Sequence, residues 1–316
     1  MIVTLTLNPS LDRTVEVPGL QRGAVIRSSS VRLDPGGKGV NVARALLANG
    51  VEARAVLPVG GAVGRELVER LQDEGVAMTA VPVGATTRSN LTLSEPDGTV
   101  TKINDRGDPL TDAEIDLLAD AVMRLVGEHD WVVLSGSLPT GTDERVYARL
   151  TERFAAAHLA VAVDTSGPAL AHAIAARPAL VKPNRDELAE AAGREVRSIA
   201  DAVAAAQSLQ RAGATAVLAS LGPDGAVLAE RDGVWLGECP VGVRRSTVGA
   251  GDCLLAGFLA AGATGPKALA TAVSWAAAAV ELPGSGIPAP HDIALRQEQV
   301  ELTDEFDRDR TLTVSG

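Results

Sequence analysis

Aromatic residues are almost missing from this 316-residue chain: three Trp, three Phe and one Tyr amount to 2% of it, although 46% of its residues are hydrophobic. A core without rings must be built from Ala, Val and Leu, and a surface without rings is poorly suited to stacking on nucleic-acid bases. Cysteine and histidine are also scarce. Cys239 and Cys253 stand fourteen positions apart with no CxxC, and His129, His158, His172 and His291 show no metal-ligand spacing, so neither a disulfide framework nor a zinc site is indicated. No apolar run reaches bilayer-spanning length, and the chain opens on strand-like Ile2–Leu7 with no basic leader, which points to a cytoplasmic protein without a membrane partner. Positive charge is in deficit as well. A net charge of −11 repels polyanions, so no nucleic-acid partner is expected, and a phosphate-bearing ligand would need a compact local set of cations and helix N-termini.

What is present is an alternation of short β-branched runs with Ala/Leu-rich segments of helical period, the pattern of an α/β fold with a mainly parallel sheet flanked by helices on both faces. Strands are expected at Ile2–Leu7, Ala53–Pro58, Trp131–Ser135, Ala160–Asp164, Leu180–Lys182 and Ala216–Ser220. Helices are expected over 38–49, 62–74, 111–127, 143–157, 185–192, 200–212, 252–262 and 266–281. Residues 12–33 and 88–103 break the alternation as hairpin-like stretches, the second around Asp97-Gly98, and suit a small separate β-sheet. The whole chain, 1–316, reads as a single domain, with a charged tail from 303 expected to be poorly ordered.

Several segments carry chemistry. Ser246-Thr247-Val248-Gly249-Ala250-Gly251-Asp252-Cys253 leads into an apolar helical pattern, so a loop of small residues delivers backbone N–H groups to a helix N-terminus, where anions bind. Asp252 then offers a carboxylate beside the anion, although Asp is also an ordinary helix cap. Asp34-Pro35-Gly36-Gly37-Lys38-Gly39-Val40-Asn41 is a second glycine loop entering a helix; Gly39 in place of Ser or Thr, and the missing four-residue spacer, exclude a Walker A motif. Asn8-Pro9-Ser10-Leu11-Asp12 follows the first strand, at the sheet edge where α/β proteins bind ligands, and equally makes a plain turn. Lys182-Pro183-Asn184-Arg185-Asp186-Glu187 has the spacing of a capping box and also suits orientation of water on a magnesium ion. Ser220, Gly222 and Gly225 end a strand with glycines that fit beneath a nucleotide or in a hairpin.

In this order and spacing the segments resemble the ribokinase-like (PfkB) carbohydrate kinases from Asn8 to about Ile293, with Gly-Gly-Lys-Gly-x-Asn and Gly-Ala-Gly-Asp as the paired signature loops. Thr87-Arg88-Ser89-Asn90, Ser135-Gly136-Ser137-Leu138-Pro139 and Ser246–Asp252 resemble the family's bacterial 1-phosphofructokinase branch in particular. The resemblance implies ATP and Mg²⁺ as cofactors, and transfer of the γ-phosphoryl group to the 6-hydroxyl of fructose 1-phosphate. It makes Asp252 the base, with Gly249, Ala250 and Gly251 forming the anion hole. Asp12, Gly37, Lys38 and Asn41 would grip the sugar, while Arg88, with Ser137 or Lys102, would hold its phosphate. Lys182, Asn184 and Glu187 would face the nucleotide phosphates, with Mg²⁺ held through those phosphates and water rather than by a resident ligand set. Ser220, Gly222, Gly225, Trp275, Ser285 and Gly286 would border the nucleotide. The 12–33 and 88–103 segments would form a lid that closes over the phosphosugar and supports a homodimer. Two positions depart from the family pattern: Cys253 replaces the usual Ser or Thr, and Asn104–Asp108 carries unusual charge. Tagatose 6-phosphate and fructose 6-phosphate are alternative acceptors, and a non-enzymatic sugar-phosphate sensor is an alternative role. No GxGxxG follows the first strand, which argues against a dehydrogenase.

Overall fold

A computed structural model describes residues 1–307 and 309–313. The first half runs β1 (Ile2–Leu5), β2 (Ser10–Glu16), β3 (Ser30–Gly36), α1 (Lys38–Ala48), β4 (Ala53–Val59), α2 (Gly61–Asp73), β5 (Met78–Pro82), β6 (Arg88–Ser94), β7 (Val100–Ile103), α3 (Asp112–Met123), β8 (Trp131–Ser135) and α4 (Val146–Ala156). The second half runs β9 (Ala160–Asp164), α5 (Gly167–Ala175), β10 (Leu180–Val181), α6 (Arg185–Ala192), α7 (Ile199–Ala212), β11 (Ala216–Ser220), β12 (Ala226–Glu230), β13 (Gly233–Glu238), α8 (Ala250–Ala260), α9 (Gly265–Val280), α10 (Pro290–Gln297) and β14 (Glu301–Thr303).

Ten strands form one sheet in the order β14-β13-β12-β11-β10-β9-β8-β1-β4-β5. From β11 to β5 every neighbouring pair is parallel, whereas β12, β13 and β14 add antiparallel pairs at the other edge. The central strands read as unbroken apolar runs because helices cover both faces. Alternate residues serve opposite cores. Val3, Leu5, Val132, Leu134, Val161 and Val163 join helices α3 to α7, while Ile2, Val133, Ala162 and Leu180 join α8 and α9. Small residues let these layers close up: a Cβ on Gly257 of α8 would stand 2.8 Å from the Trp275 ring and 2.9 Å from the Thr271 carbonyl oxygen on α9.

The chain leaves β1 toward β4 and β5, then returns to β8 on the other side, so a crevice opens beyond the carboxyl ends of β1 and β8. Over that edge stands a second sheet of four strands, β3-β2-β6-β7. The expected 12–33 hairpin is an antiparallel β2–β3 pair with Asp12 opposite Asp34, but residues 17–29 join it by a long excursion rather than a tight turn. β2 also pairs in parallel with β6, with Asp12 opposite Asn90, so the two hairpin-like stretches become one sheet.

β8, β9, β11 and α6 occupy the spans expected from their patterns, whereas α5, α10 and the antiparallel strands at the β14 edge were not anticipated. Those strands lack the flanking helices that make a βαβ rhythm recognisable. The tail also departs from expectation. β14 pairs with β13, Thr311 bridges to Ser198, and Leu312 is buried in the α7-side core with its N–H bonded to the Arg197 carbonyl. Leu312 and Phe306 supply apolar anchors among the charges, and Arg310 pairs with Glu238; Arg308 and residues 314–316 of the expected tail lie outside the described residues. Leu312→Ala is expected to lower unfolding free energy by about 2–5 kcal/mol, read by urea denaturation, because it empties a fully enclosed site.

Candidate active site

The N-terminus of α8 is made by Gly249, whose φ of 81° is open to glycine without strain and turns the chain so that the first helical amides face the crevice. Cys253 N–H closes the first turn onto the Gly249 carbonyl at 2.9 Å. Asp252 sits in that turn, buried, and accepts a hydrogen bond of 2.8 Å from Asn41 Nδ2 on α1. Both signature loops therefore meet in one contact across 211 positions of sequence.

Behind Asp252 lies a residue that the sequence reading passed over. Asp164, the last residue of β9 and wholly buried, accepts a hydrogen bond of 2.8 Å from Lys38 Nζ, and its other oxygen lies 3.2 Å from Lys182 Nζ. Its signal was available: a carboxylate closing an otherwise apolar strand at the carboxyl edge, the same argument that selected Asp12. Lys38 also reaches Glu187 Oε1 at 3.4 Å. Lys38, expected at the sugar, thus spans the carboxylates of β9 and α6. Lys182 is buried with its ammonium 3.3 Å from where a Cβ on Gly251 would stand, so this cation lies against the α8 N-terminus.

These charges tune one another. Burial opposes ionisation of Asp164, yet Lys182 and Lys38 outweigh it and hold the carboxyl below the usual aspartate range. Burial likewise opposes the charge of Lys38, and Asp164 and Glu187 overcome it, so the ammonium is held above the ordinary lysine range. Asp252 goes the other way. Burial and then the neighbouring Asp164 raise it to about 6, against the opposing pull of Asn41, Lys38 and Lys182. The helix N-terminus, which favours the ionised form, does not dominate here.

Asn184 and Glu187 form the expected capping box of α6: Asn184 Oδ1 accepts from Glu187 N–H at 2.9 Å, and Glu187 Oε2 accepts from Asn184 N–H at 2.8 Å. With Glu187 and Asp164 both beside ammonium groups, this edge suits an Mg²⁺ ion that arrives with phosphates and water better than one held by carboxylates alone. Ser220 N–H bonds to the Pro183 carbonyl, which ties the end of β11 to the same edge. Gly222 and Gly225 make the turn into β12, with Leu221 N–H on the Gly225 carbonyl, and a Cβ at Gly225 would collide with the Gly237 carbonyl of β13. The hairpin itself requires these glycines. Ser285 borders the mouth, its Cα 3.8 Å from the Cβ position of Gly249, and Gly286 closes the same loop by bonding to the Pro283 carbonyl. Trp275, expected at the nucleotide border, is instead 5% exposed and packs between α8 and α9, because the largest ring available fills the gap left by Gly257.

The other half of the crevice belongs to the small sheet. Asp12 Oδ1 accepts from Ser10 Oγ and Asn90 Nδ2, both at 2.7 Å, and stands over Gly36, where a Cβ would displace it. Gly37, with φ 115°, turns the chain into α1 and packs on Thr6. Arg88 donates to the Asn8 carbonyl at 3.2 Å and to the Asp105 carbonyl at 2.7 Å. Asn8 Nδ2 in turn donates to the Arg106 carbonyl at 3.0 Å and to Ser137 Oγ at 3.4 Å, so Arg88 and Ser137 share one hub at the crevice between β1 and β8. The charged 104–108 segment thereby contributes carbonyls, not carboxylates, to Arg88 and Asn8. Lys102 stands apart. It pairs with Thr92, four residues along β6 from Arg88, which at strand spacing is roughly 13 Å away, and its side chain is exposed. Arg32 was not anticipated: it pairs with Asp34 at 2.8 Å and lies against Gly284, joining the small sheet to the Ser285 loop.

Asp252 carries a stability cost with a defined sign. Its folded-state value of about 6 lies above the unfolded value of about 4, so its contribution is most favourable at low pH and declines as pH rises between the two. Asp252→Asn keeps the shape and still accepts from Asn41, so it is expected to be more stable than the native protein by roughly 1–3 kcal/mol near pH 8. The difference should narrow below about pH 5, as checked by thermal melts across pH.

The profile of the pfkB family carbohydrate kinases matches residues 5–292. The chain is 38% identical to a 1-phosphofructokinase of Haloferax volcanii over 96% of its own length and 98% of the relative's. It is 36% identical to a 1-phosphofructokinase of Bacillus subtilis, over 82% and 85% respectively. A crystal structure of phosphofructokinase-2 from Escherichia coli in complex with fructose-6-phosphate superposes with a TM-score of 0.87 at 32% identity, covering 94% of this chain and 98% of the other. The mainly parallel sheet thus has its counterpart in known proteins, and the chain belongs to the pfkB family of carbohydrate kinases.

Proposed function

We propose that the protein transfers the γ-phosphoryl group of ATP to the 6-hydroxyl of fructose 1-phosphate, releasing ADP and fructose 1,6-bisphosphate, with Asp252 as general base. The observation that carries this reading is the position of Asp252: buried at the N-terminus of α8, near the Lys38–Asp164–Lys182 cluster on one side and in contact with the sugar-side loop through Asn41 on the other. The relatives named 1-phosphofructokinase support the acceptor. The E. coli structure that holds fructose-6-phosphate supports a second reading, in which the acceptor's phosphate sits on the other end of the sugar.

The acceptor would lie between Asp12 and Asp252, its phosphate beside Arg88 and Ser137. A sugar hydroxyl is far too weak an acid to ionise first, so its proton passes to Asp252 as the new O–P bond forms, and leaves to solvent once the products depart. Charge on the transferring group would be met by the amides of Gly249 and Gly251 and by Lys182, joined by the Ala250 amide once it leaves the Thr247 carbonyl that it contacts at 3.4 Å. Mg²⁺, held through the nucleotide phosphates and water near Asn184 and Glu187, would neutralise phosphate charge. Catalysis on this account is mainly positioning and charge stabilisation, as phosphoryl transfer with a loose transition state requires.

The small sheet serves as the lid in this reading, and its outer face supports a homodimer. Val15, Val31, Leu33, Leu91, Leu93 and Ile103 alternate with the crevice-facing Asp12, Arg88 and Asn90 along the registered strands, and Val31 and Ile103 are 46% and 57% exposed. Ile103→Asp is expected to yield monomers on size-exclusion chromatography; an unchanged elution volume places the subunit contact elsewhere.

No helix among the described residues is long and apolar enough to cross a membrane. ADP release with Mg-ATP and each of fructose 1-phosphate, fructose 6-phosphate and tagatose 6-phosphate tests the assignment. A tenfold or greater preference in kcat/KM for fructose 1-phosphate is expected, and kcat/KM itself should rise with pH through about 6 as Asp252 loses its proton. Asp252→Asn should lower turnover about 10²–10⁴-fold. Binding of a phosphosugar without any turnover would turn the assignment to a sensor.

A further inference from the structure

Asn41 has two functional ends, and only one orientation of its amide serves Asp252. With Nδ2 toward the carboxylate it donates a hydrogen bond; with Oδ1 there instead, two acceptors would face each other in a buried site. The structure contains a device that selects between them. Arg44, one turn further along α1 and 9% exposed, donates from Nη1 to Asn41 Oδ1 at 3.3 Å. Its remaining fork is occupied by Glu74 at the end of α2, with Nε to Oε2 at 2.6 Å and Nη2 to Oε1 at 3.0 Å. A guanidinium has no acceptor, so it tolerates only the oxygen of Asn41, and the bidentate carboxylate holds its plane.

We infer that Arg44 is a positioning residue for the phosphoryl-transfer base: anchored by Glu74, it locks the Asn41 amide so that Nδ2 faces Asp252. The inference rests on Asp252 acting as the base, but the lock itself is a property of the folded protein. Other groups face the same carboxylate. Asp164 at the end of β9 opposes its charge, Lys38 of α1 and Lys182 after β10 favour it, and the neighbouring Cys253 thiol is kept neutral by burial with Asp252 beside it. None of these fixes the direction of the Asn41 amide. An arginine here also explains why a lysine would not serve, since one ammonium cannot hold the Glu74 carboxylate by two parallel bonds and reach Asn41 as well.

The test uses the full-length protein and two independent readings. Carbon-13 NMR of aspartate-labelled protein, with Asp252→Asn to assign the resonance, follows the Asp252 titration without substrate; the pH profile of kcat/KM follows its use. Arg44→Met is expected to move both the titration midpoint and the acidic limb upward by about one pH unit, as loss of an oriented hydrogen bond to a buried carboxylate does. Asn41→Leu should shift them similarly, and the double variant no further than Asn41→Leu alone, because the two residues act in series. Glu74→Ala, which leaves the core packing of α1 intact, should move the midpoint in the same direction by a smaller amount, and it carries the test if Arg44→Met does not fold. Midpoints at the native value in the folded variants would overturn the inference and leave Arg44 as a tie between α1 and α2. A shifted carboxyl resonance in a protein with no kinase activity would instead uphold the lock and refute the proposed reaction.

Discussion

Three carboxylates, Asp164, Asp252 and Glu187, and two ammonium groups, Lys38 and Lys182, share one poorly hydrated space at the carboxyl edge of the sheet. Burial opposes the charges of Asp164, Asp252 and Lys38. Asp164 stands between the two lysines, and its pairing helps to keep Lys38 charged, while Lys182 lies against the α8 N-terminus. The same charge is felt by Asp252, which receives no ammonium of its own and is left with a neutral amide as its partner. The cluster therefore sorts its acids by geometry, one held firmly ionised and one poised near neutrality.

The fold supplies this arrangement through a few close approaches. Lys38 and Asn41 share α1, so the loop that opens beneath Asp12 also delivers a cation to Asp164 and an amide to Asp252. Gly36, Gly37 and Gly249 are used where a side chain would displace Asp12, press on Thr6 or strain the backbone. Gly257 lets α8 settle against Trp275, which fixes the height of Asp252 above the sheet. At the opposite wall, the Gly136 carbonyl accepts from both Tyr147 Oη and Thr165 Oγ1, so the turn that presents Ser137 is held by the chain's single tyrosine.

Much of this was legible before any coordinates. The two glycine loops, the capping box at Asn184 and Glu187, and the aspartate at the start of α8 each have a local signature, and each lies where the pattern put it. Trp275 misled because a buried aromatic and a ring bordering a ligand look alike in a helical pattern. Lys102 misled because strand neighbours cannot be assigned until the register is known; the antiparallel β6–β7 register, which sets it opposite Thr92, is what separates it from Arg88. Arg44 has no motif of its own, and the roles of Asp164 and Asn8 exist only through partners far along the chain.

By itself the sequence determined the local chemistry: which residues can turn the backbone, cap a helix, donate to a phosphate or accept a proton, since these depend on residue type and on neighbours within one turn or strand. The tertiary structure decided which of those groups meet. Asn41 reaches Asp252 across 211 positions and Lys38 reaches Asp164 across 126, and both contacts follow from the strand order that sets α1, β9 and α8 around one crevice. Charge states followed the same division. An aspartate and a lysine have ordinary values in the chain, and only burial and a specific neighbour, fixed by long-range packing, lowered Asp164 and raised Asp252.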